Sequence, residues 1–415
     1  MKHLPTEPYK GVRDFYPEDM AVQQHIFNTW SRTAESFGFE RYDASVLEPS
    51  EIYKSKGAEN EEMVNEQTYT FTDRGDREVT LRPEMTPTVA RMIAGKSKEL
   101  AFPVRWYSIP NLFRYERTQR GRVREHWQLN CDIFGSNDIV ADIEIIALAY
   151  QTLINFGAQP EMFEIRVNDR REMKEFYESL GISDEEIITK ITRLNDRFHK
   201  IDRSLYLAEL RQITPDSADA ILAHLEESSQ SENEVTRGLN AVGINNVKID
   251  RSLARGFDYY TGTIFEFFDT DPSNNRSMLG GGRYDNLTGL FTSEAVSGVG
   301  FGMGDVTMRD FLDTHGLLPA KKAGAQVIVI LTEERFNIDG EKVAMKLRGV
   351  GVPTLVDIST KKLGKKVAAA DHSGAGYILV VGEDEVSRGE YVLKNLADGT
   401  EMSGTLEDLA QGLAV

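Results

Sequence analysis

An arginine-rich segment, FRYERTQRGRVRE (113–125), is the clearest indication in the chain of a site that binds anions. A guanidinium group can bind phosphate oxygens through two parallel hydrogen bonds, a geometry that lysine does not provide. A solvated basic loop would have the same composition. The strand that follows carries Gln128 and Asp132, however, and these polar residues favour an anion-binding cleft. The arginines are Arg114, Arg117, Arg120, Arg122 and Arg124.

The segment TLRPEMT (80–86) places a carboxylate beside a proline. Because proline lacks a backbone N–H, Pro83 indicates the end of a strand or a bulge. Glu84 then has two interpretations: it caps a helix that begins near Thr86, or its carboxylate receives an ammonium group.

Two further segments, RGFDYYTGT (255–263) and GGGRYD (280–285), combine aromatic, charged and glycine residues. Tyr259 and Tyr260 are adjacent on an expected strand, so they must point to opposite faces, and one can pack while the other offers its hydroxyl. The triple glycine allows a close backbone approach to a ligand or a tight turn. The segment GVGFGMG (298–304) leaves one strand face bare, so that a flat group can lie against it. Its glycine spacing is not that of the dinucleotide-binding fingerprint.

The segment REHWQLNCDIF (124–134) shows how these side chains could be positioned. Apolar and polar residues alternate along it, which predicts a strand with one core face and one polar face. The core face has Trp127, Leu129, Cys131 and Ile133, and the polar face has His126, Gln128, Asn130 and Asp132. We expect this strand to pair with residues near Arg114 and Glu116 in a hairpin with a long basic loop.

The remaining elements predict a mixed architecture. Apolar spacing indicates a helix from Pro17 to about Gly38, a strand pair around the turn 73–76, and a helix that starts near Ile139 and ends at Gly157. Residues 168–248 show helical periodicity and few strands, which predicts an inserted helical subdomain. Beyond a linker near 313–325, four strand-like runs alternate with helical ones and predict a compact α/β module.

Composition limits the class of protein. At 415 residues the chain exceeds the size of one core, so two or three domains are expected. The single cysteine, Cys131, excludes an internal disulfide and a multi-cysteine zinc site. No segment has the ~18–20 apolar residues of a membrane span, and the N-terminus has no secretory h-region. A net charge of −18 argues against an indiscriminate nucleic-acid binder but not against a selective one. The sequence has no Ser–His–Asp arrangement and no metal-ligand spacing, and a reducing cytoplasm is the expected location.

In their order along the chain, these segments resemble the class II aminoacyl-tRNA synthetases, and the histidyl-tRNA synthetases in particular. The resemblance covers nearly the whole chain and includes GVRDFYPEDM (11–20), GGGRYDNL (280–287) and RGFDYY (255–260), which is the most specific. It implies an α+β fold: an antiparallel sheet flanked by helices in a catalytic domain (1–320), the helical insertion (168–248), and a C-terminal α/β anticodon-binding-like domain (322–415). It also implies a homodimer that joins L-histidine to ATP and transfers the histidyl group to tRNA(His).

The resemblance assigns roles to individual residues. Arg255 and Arg114 match catalytic arginines: Arg255 stabilises the adenylation transition state and Arg114 binds the α-phosphate. Glu116 matches a carboxylate near the adenine, and Arg122 matches an arginine that reaches the outer phosphates, which Mg²⁺ would bridge. Histidine binding is assigned to Glu84, Met85, Thr86, Arg114, Gln128, Asp132, Arg255, Tyr259, Tyr260 and Tyr284, with Asp132 and Tyr260 bracketing the imidazole. Zinc is not expected.

One position departs from the family pattern. The third signature of the family usually ends in Glu-Arg, and its arginine binds the γ-phosphate end of ATP. Here Thr307 stands in place of that arginine. Binding of the pyrophosphate end must then come from other residues, with Arg122 and Arg309 as the candidates. The departure also keeps open an alternative, a non-catalytic histidine-sensing regulatory paralogue that partners ATP phosphoribosyltransferase.

Overall fold

The computed structural model describes residues 3–54, 67–116, 121–227, 231–254, 259–274, 276–320 and 324–413. The chain divides into two compact units, Met1–Pro319 and Ala320–Val415. Each unit has hydrophobic clusters of its own.

The first unit is built on a sheet of nine strands within the described residues. The strands are β1 (Glu40–Arg41), β5 (Val104–Ser108), β6 (Asn111–Phe113), β7 (Glu125–Phe134), β8 (Phe163–Asp169), β9 (Val247–Ile249), β10 (Thr263–Asp269), β11 (Ser277–Tyr284) and β12 (Gly298–Gly304). Most neighbouring strands are antiparallel, and the order is β1-β5-β7-β12-β11-β10-β8-β9, with β6 paired to β7. A separate three-stranded sheet consists of β2 (Leu47–Pro49), β3 (Tyr69–Thr72) and β4 (Glu78–Leu81).

One face of the large sheet is covered by three helices, α1 (Pro17–Ser36), α4 (Ile139–Asn155) and α10 (Asp305–Thr314). The apolar face of β7 packs into this layer, and Leu129, Cys131 and Ile133 are fully or almost fully buried. Trp30 of α1 donates its indole N–H to the Met303 sulfur of β12 over 3.0 Å. This core leaves the polar face of β7 on the opposite side of the sheet.

The opposite face is partly covered by α3 (Thr86–Lys96), which follows the short helix α2 (Glu51–Lys54) and strand β4. Val89 and Ile93 of α3 pack with Phe134, Ile264 and Tyr284 from the sheet. Phe134 lies on the same face of β7 as Gln128 and Asp132, so the polar side chains of β7 and this cluster share one side of the sheet.

Helices dominate the chain between β8 and β9. They have a hydrophobic cluster of their own, which includes Tyr177, Ile191, Tyr206 and Leu222. The helices are α5 (Arg170–Ser179), α6 (Glu185–Asn195), α7 (Arg203–Ile213), α8 (Ala218–Glu226) and α9 (Glu234–Ala241).

The second unit has a five-stranded sheet in the order β14-β13-β15-β16-β17. Its first three strands are parallel and the last two antiparallel. The strands are β13 (Val327–Leu331), β14 (Thr354–Asp357), β15 (Tyr377–Val381), β16 (Tyr391–Asn395) and β17 (Glu401–Gly404), and the helices are α11 (Asn337–Gly349), α12 (Leu363–His372), α13 (Glu383–Arg388) and α14 (Leu406–Leu413). Helices α11 and α14 pack on one sheet face and α12 on the other. The predicted fold class, an antiparallel sheet flanked by helices with an α/β tail, is confirmed.

Candidate active site

The polar face of β7 is matched by the bare face of β12. In the antiparallel register Asp132 is opposite Gly300, Asn130 opposite Gly302, and Gln128 opposite Gly304. A Cβ on Gly302 would lie 2.5 Å from Gln128 Nε2, and a Cβ on Gly300 would collide with the Asp132 carboxylate. The alternating glycines therefore make room for the polar side chains of the neighbouring strand.

A small pocket on this face brings together seven of the residues expected to bind histidine. Its volume is about 30 Å³. The seven residues are Glu84, Thr86, Arg114, Gln128, Tyr259, Tyr260 and Tyr284, and the lining also contains Asn130, Gly280, Gly300, Phe301 and Gly302. Asp132 adjoins the pocket through Tyr284, whose hydroxyl donates a hydrogen bond to Asp132 Oδ1.

Asp132 is the most perturbed carboxyl of this region. Asp132 is only 3% exposed, and its second carboxylate oxygen, Oδ2, has no hydrogen-bond partner within the described part of the chain. Burial raises the pKa of Asp132 to about 7, an effect that the hydrogen bond from Tyr284 opposes. Because leaving a buried acceptor unsatisfied is costly, the geometry is suited to an incoming N–H donor.

The segment before α3 supplies the other carboxylate. Helix α3 begins at Thr86, and its N-cap residue, Met85, makes no side-chain capping bond. The Glu84 carboxylate instead lines the pocket and lies 3.4 Å from the Tyr259 hydroxyl, which donates to it. Met85 itself is fully buried beside Arg82 and does not line either of the two pockets described here.

The expectation that Tyr259 and Tyr260 lie on opposite strand faces was wrong. Strand β10 begins only at Thr263, so both tyrosines precede it and both line the small pocket. Their ring centroids are 4.8 Å apart. Outside a strand the backbone does not alternate, and adjacent side chains can face the same space.

A larger cavity of about 980 Å³ adjoins the small pocket and shares Arg114, Gln128, Gly280 and Gly302 with it. Arg114 is held by a hydrogen bond from its Nε to the Pro83 carbonyl, at 2.9 Å. Glu116 lies 4.0 Å from the Arg114 guanidinium and 3.2 Å from that of Arg122. All three expected ATP-binding residues therefore line one cavity.

The predicted hairpin is confirmed by the antiparallel pairing of β6 with β7, in which Phe113 is opposite Glu125. The backbone N–H of Arg114 continues the pairing with a hydrogen bond to the Arg124 carbonyl. Arg117, Arg120 and Arg255 lie outside the described residues, and the expected catalytic role of Arg255 stays a prediction.

A buried carboxylate ties the end of β12 to this site. Asp305 is fully buried and accepts hydrogen bonds from Arg13, from Gln23 of α1 and from the backbone N–H of Trp127 in β7, at 2.8–3.0 Å. The network fixes the first turn of α10 against β7. It also gives a structural role to Arg13 in the GVRDFYPEDM segment.

The residue that replaces the usual arginine, Thr307, faces the larger cavity. Its hydroxyl donates to the carbonyls of Met278 and Gly304, at 2.9 and 3.2 Å. Of the two arginines expected to compensate, Arg122 lines the cavity, whereas Arg309 pairs with Asp19 at 2.8 Å and does not line it.

Sequence reasoning missed several residues that line the site. Asn130 and His126 lie on the polar face of β7 that the period-two pattern predicted, but neither was assigned a role in the site. Burial and the nearby Arg114 charge lower the pKa of His126 to about 3, so its ring is neutral near pH 7. Arg276 also lines the larger cavity, and no sequence motif pointed to it. Within the described residues, no cluster of three or more His, Cys, Asp or Glu side chains could hold a metal ion.

Comparison with known proteins agrees with this geometry. A family model described as histidyl-tRNA synthetase matches residues 11–305, and one described as anticodon binding domain matches residues 326–414. The chain is 39% identical to the histidine–tRNA ligase of Leptospira biflexa, over 98% of this chain and 97% of the relative. It is 38% identical to that of Thermoplasma volcanium, over 98% of both chains.

Solved structures support the same fold. The histidyl-tRNA synthetase of Nostoc superposes with a TM-score of 0.83 at 24% identity, over 99% of both chains. A Bacillus halodurans protein titled ATP phosphoribosyltransferase regulatory subunit/histidyl-tRNA synthetase superposes with a TM-score of 0.68 at 20% identity, over 92% of this chain and 100% of that one. The family model and the two relatives leave no ambiguity about descent: the chain belongs to the histidyl-tRNA synthetase family.

Proposed function

We propose that this chain activates L-histidine with ATP and transfers the histidyl group to tRNA(His). The observation that carries the proposal is the small pocket, which is lined by residues matched to histidine binding. The buried Asp132 carboxylate, with one unpaired oxygen among the described residues, adjoins this pocket through Tyr284. The similarity of the chain to histidine–tRNA ligases, over 97–98% of each sequence, supports the same reaction.

Histidine occupies the small pocket with its ring toward Asp132 and Tyr260. Asp132 Oδ2 accepts one ring N–H, and Tyr284 holds the other carboxylate oxygen in place. A site built to hydrogen-bond a polar group of its substrate discriminates in kcat/KM against analogues that lack this group by a factor of ~10⁴–10⁵.

The amino-acid end lies where the two pockets meet. Glu84 and Gln128 hold the ammonium group and Arg114, which lines both pockets, binds the α-phosphate. The histidine carboxylate attacks the α-phosphorus, the bond to the β-phosphate breaks, and pyrophosphate leaves. Guanidinium groups held by the fold stabilise the charge that builds on phosphate oxygens without reorganising.

The triphosphate extends into the larger cavity, where Arg122 and Glu116 lie. ATP binds as its magnesium complex, and magnesium usually keeps water and phosphate ligands with one or two carboxylates. Glu266, which lines the same cavity, is the proposed carboxylate on the protein side.

The second unit is proposed to read the anticodon, so that the chain divides into a catalytic domain (1–320) with a helical insertion (168–248) and an anticodon-binding domain (322–415). Its match to an anticodon-binding domain supports this. The regulatory alternative is favoured by Thr307 but is less supported, because the named relatives at 38–39% identity are histidine–tRNA ligases.

A cytoplasmic homodimer is part of the proposal and rests on the family resemblance. Sedimentation of the purified protein tests the dimer. Among the described residues, no helix combines the length and apolarity that crossing a membrane requires.

Histidine-dependent exchange of labelled pyrophosphate into ATP tests the activation step directly. We expect exchange with histidine and none with other amino acids, followed by charging of tRNA(His). A folded protein without exchange at any ATP or Mg²⁺ concentration would instead support the regulatory function.

A further inference from the structure

The cations that line the larger cavity differ in their partners. Four of them have a carboxylate within ion-pair distance: Arg114 and Arg122 with Glu116, Arg166 with Glu164 and Asp250, and Lys200 with Asp196. Arg276 lines the same cavity, is half-buried, and has no hydrogen bond or ion pair among the described residues. A guanidinium that faces a cavity without a protein partner is available to bind an anion that enters the cavity.

Of the acids that line the cavity, the one nearest to Arg276 along the chain is Asp269, and it does not neutralise Arg276. Both oxygens of Asp269 are engaged, Oδ1 with His315 Nε2 at 2.8 Å and Oδ2 with the amide of Asn274 at 2.7 Å. Asp269 has no exposed side-chain surface. The positive charge of Arg276 is therefore left for whatever enters the cavity.

The stem of Arg276 lies in the part of the larger cavity that Gly121 and Thr307 also line. A Cβ on Gly121 would lie 3.5 Å from Arg276 Cδ and 3.7 Å from Thr307 Cγ2, which places these two side chains beside the residue that precedes Arg122. Neither Arg276 nor Thr307 lines the small pocket. Thr307 already donates its only hydroxyl proton to backbone carbonyls, so it does not serve as a phosphate donor.

We propose that Arg276 binds the terminal phosphates of ATP and, in the reverse direction, pyrophosphate. This inference rests on the proposed function, which places the α-phosphate at Arg114. The outer phosphates then extend toward Arg122, and Arg276 supplies a second fork of donors there. Arg276 thereby supplies the positive charge that the family's usual arginine would provide at the position of Thr307.

The experiment compares Arg276→Ala with wild type in histidine-dependent pyrophosphate exchange. Loss of one or two charge-assisted hydrogen bonds should raise KM for ATP and for pyrophosphate by about 10-fold to 100-fold. KM for histidine and the inhibition constant of a histidyl-sulfamoyl-adenosine analogue, which lacks the outer phosphates, should change less than about twofold. Arg309→Ala, which removes an arginine paired with Asp19, is the matched control and should leave all four constants unchanged.

Two results would overturn the assignment. One is an unchanged KM for ATP and pyrophosphate, and the other is an equal change in the analogue constant, which would indicate a structural role. Arg276→Gln keeps most of the side-chain volume and replaces the alanine variant if the latter unfolds. If wild type shows no exchange, the proposed function fails, and calorimetric binding of ATP to wild type and to Arg276→Ala still tests Arg276.

Discussion

Asp132 is the residue on which histidine selectivity should depend. A hydrogen bond with a charged partner contributes ~1.5–3 kcal/mol, which corresponds to roughly 10-fold to 150-fold in affinity. We expect Asp132→Ala to lower kcat/KM for histidine by at least this factor, with KM for ATP nearly unchanged. Pyrophosphate exchange at varied histidine and ATP measures both constants.

The competing role for Asp132 is purely structural, since its Oδ1 already accepts from Tyr284. In that case the thermal midpoint of Asp132→Ala would fall while its histidine kinetics stayed at the wild-type values. Measuring the midpoint and the exchange rate on the same preparation separates the two roles.

The pKa of Asp132 also predicts a pH dependence of stability. Burial raises this pKa from an ordinary 3.8 to about 7, so the folded protein binds a proton that the unfolded chain has released. Stability from such a group is present below the unfolded pKa and is lost as pH rises through the folded pKa. Relative to Asp132→Asn, the unliganded wild type should therefore become less stable between about pH 4 and pH 7.

Thermal midpoints of both proteins near pH 5 and near pH 8 measure this effect, because the other titrating groups are common to both. The midpoint of Asp132→Asn minus that of wild type should be more positive at the higher pH. A difference that stays constant with pH would mean that Asp132 does not titrate in this range.

Arg122 should carry part of the phosphate binding. We expect Arg122→Ala to raise KM for ATP by about 10-fold or more and to leave KM for histidine nearly unchanged. Arg211→Ala is a matched control, because Arg211 is 54% exposed against 51% for Arg122 and also forms an ion pair, with Asp219. Equal effects of Arg122→Ala on both substrates would contradict this role.

Strand β12 illustrates how a strand face made of glycines shapes a site. Gly302→Ala would place a methyl carbon 2.5 Å from Gln128 Nε2, closer than real contacts allow, so Gln128 must move. We expect KM for histidine to rise by about 10-fold, the equivalent of one lost hydrogen bond. Exchange kinetics and the thermal midpoint of the variant measure this.

Gly95→Ala is the control, because a Cβ on Gly95 of α3 meets no atom within 4 Å. Alanine in a helix is more favourable than glycine by about 0.5–1 kcal/mol, so this variant should be slightly more stable and fully active. If Gly302→Ala kept the wild-type KM for histidine while losing stability, the close register of β12 and β7 would be structural only.

At the scale of single elements, the sequence predicted which side chains share one face of a strand, because that follows from the period-two pattern. The alternation of β7 identified Gln128 and Asp132 on one face, and the glycines of β12 indicated a bare face against them. Tyr259 and Tyr260 were misplaced because they precede the strand that was expected to contain them. Arg276 was missed because its position depends on sheet pairing, which no local pattern encodes.

At the scale of the whole molecule, most of the predicted arrangement came from the order of the motifs along the chain. The long strands and helices follow from their apolar periodicity, and the family resemblance supplied their arrangement. The three-residue strand β9 (Val247–Ile249) escaped prediction because so short a segment has no periodicity to read. Strand β17 (Glu401–Gly404), with mostly exposed residues at the sheet edge, lacks the buried alternation that would identify it.

The two units should be separable in function. The clusters of the second unit contain only residues after 324, so removal of residues 322–415 deletes no core residue of the first unit. We expect this truncation to leave histidine-dependent pyrophosphate exchange largely intact. Charging of tRNA(His) should fall strongly, because the proposed anticodon contacts are lost while the two pockets remain. Exchange and aminoacylation assays on the same preparation, with circular dichroism to establish folding, measure the division. Equal loss of both activities in a folded protein would show that the second unit contributes to adenylate formation itself.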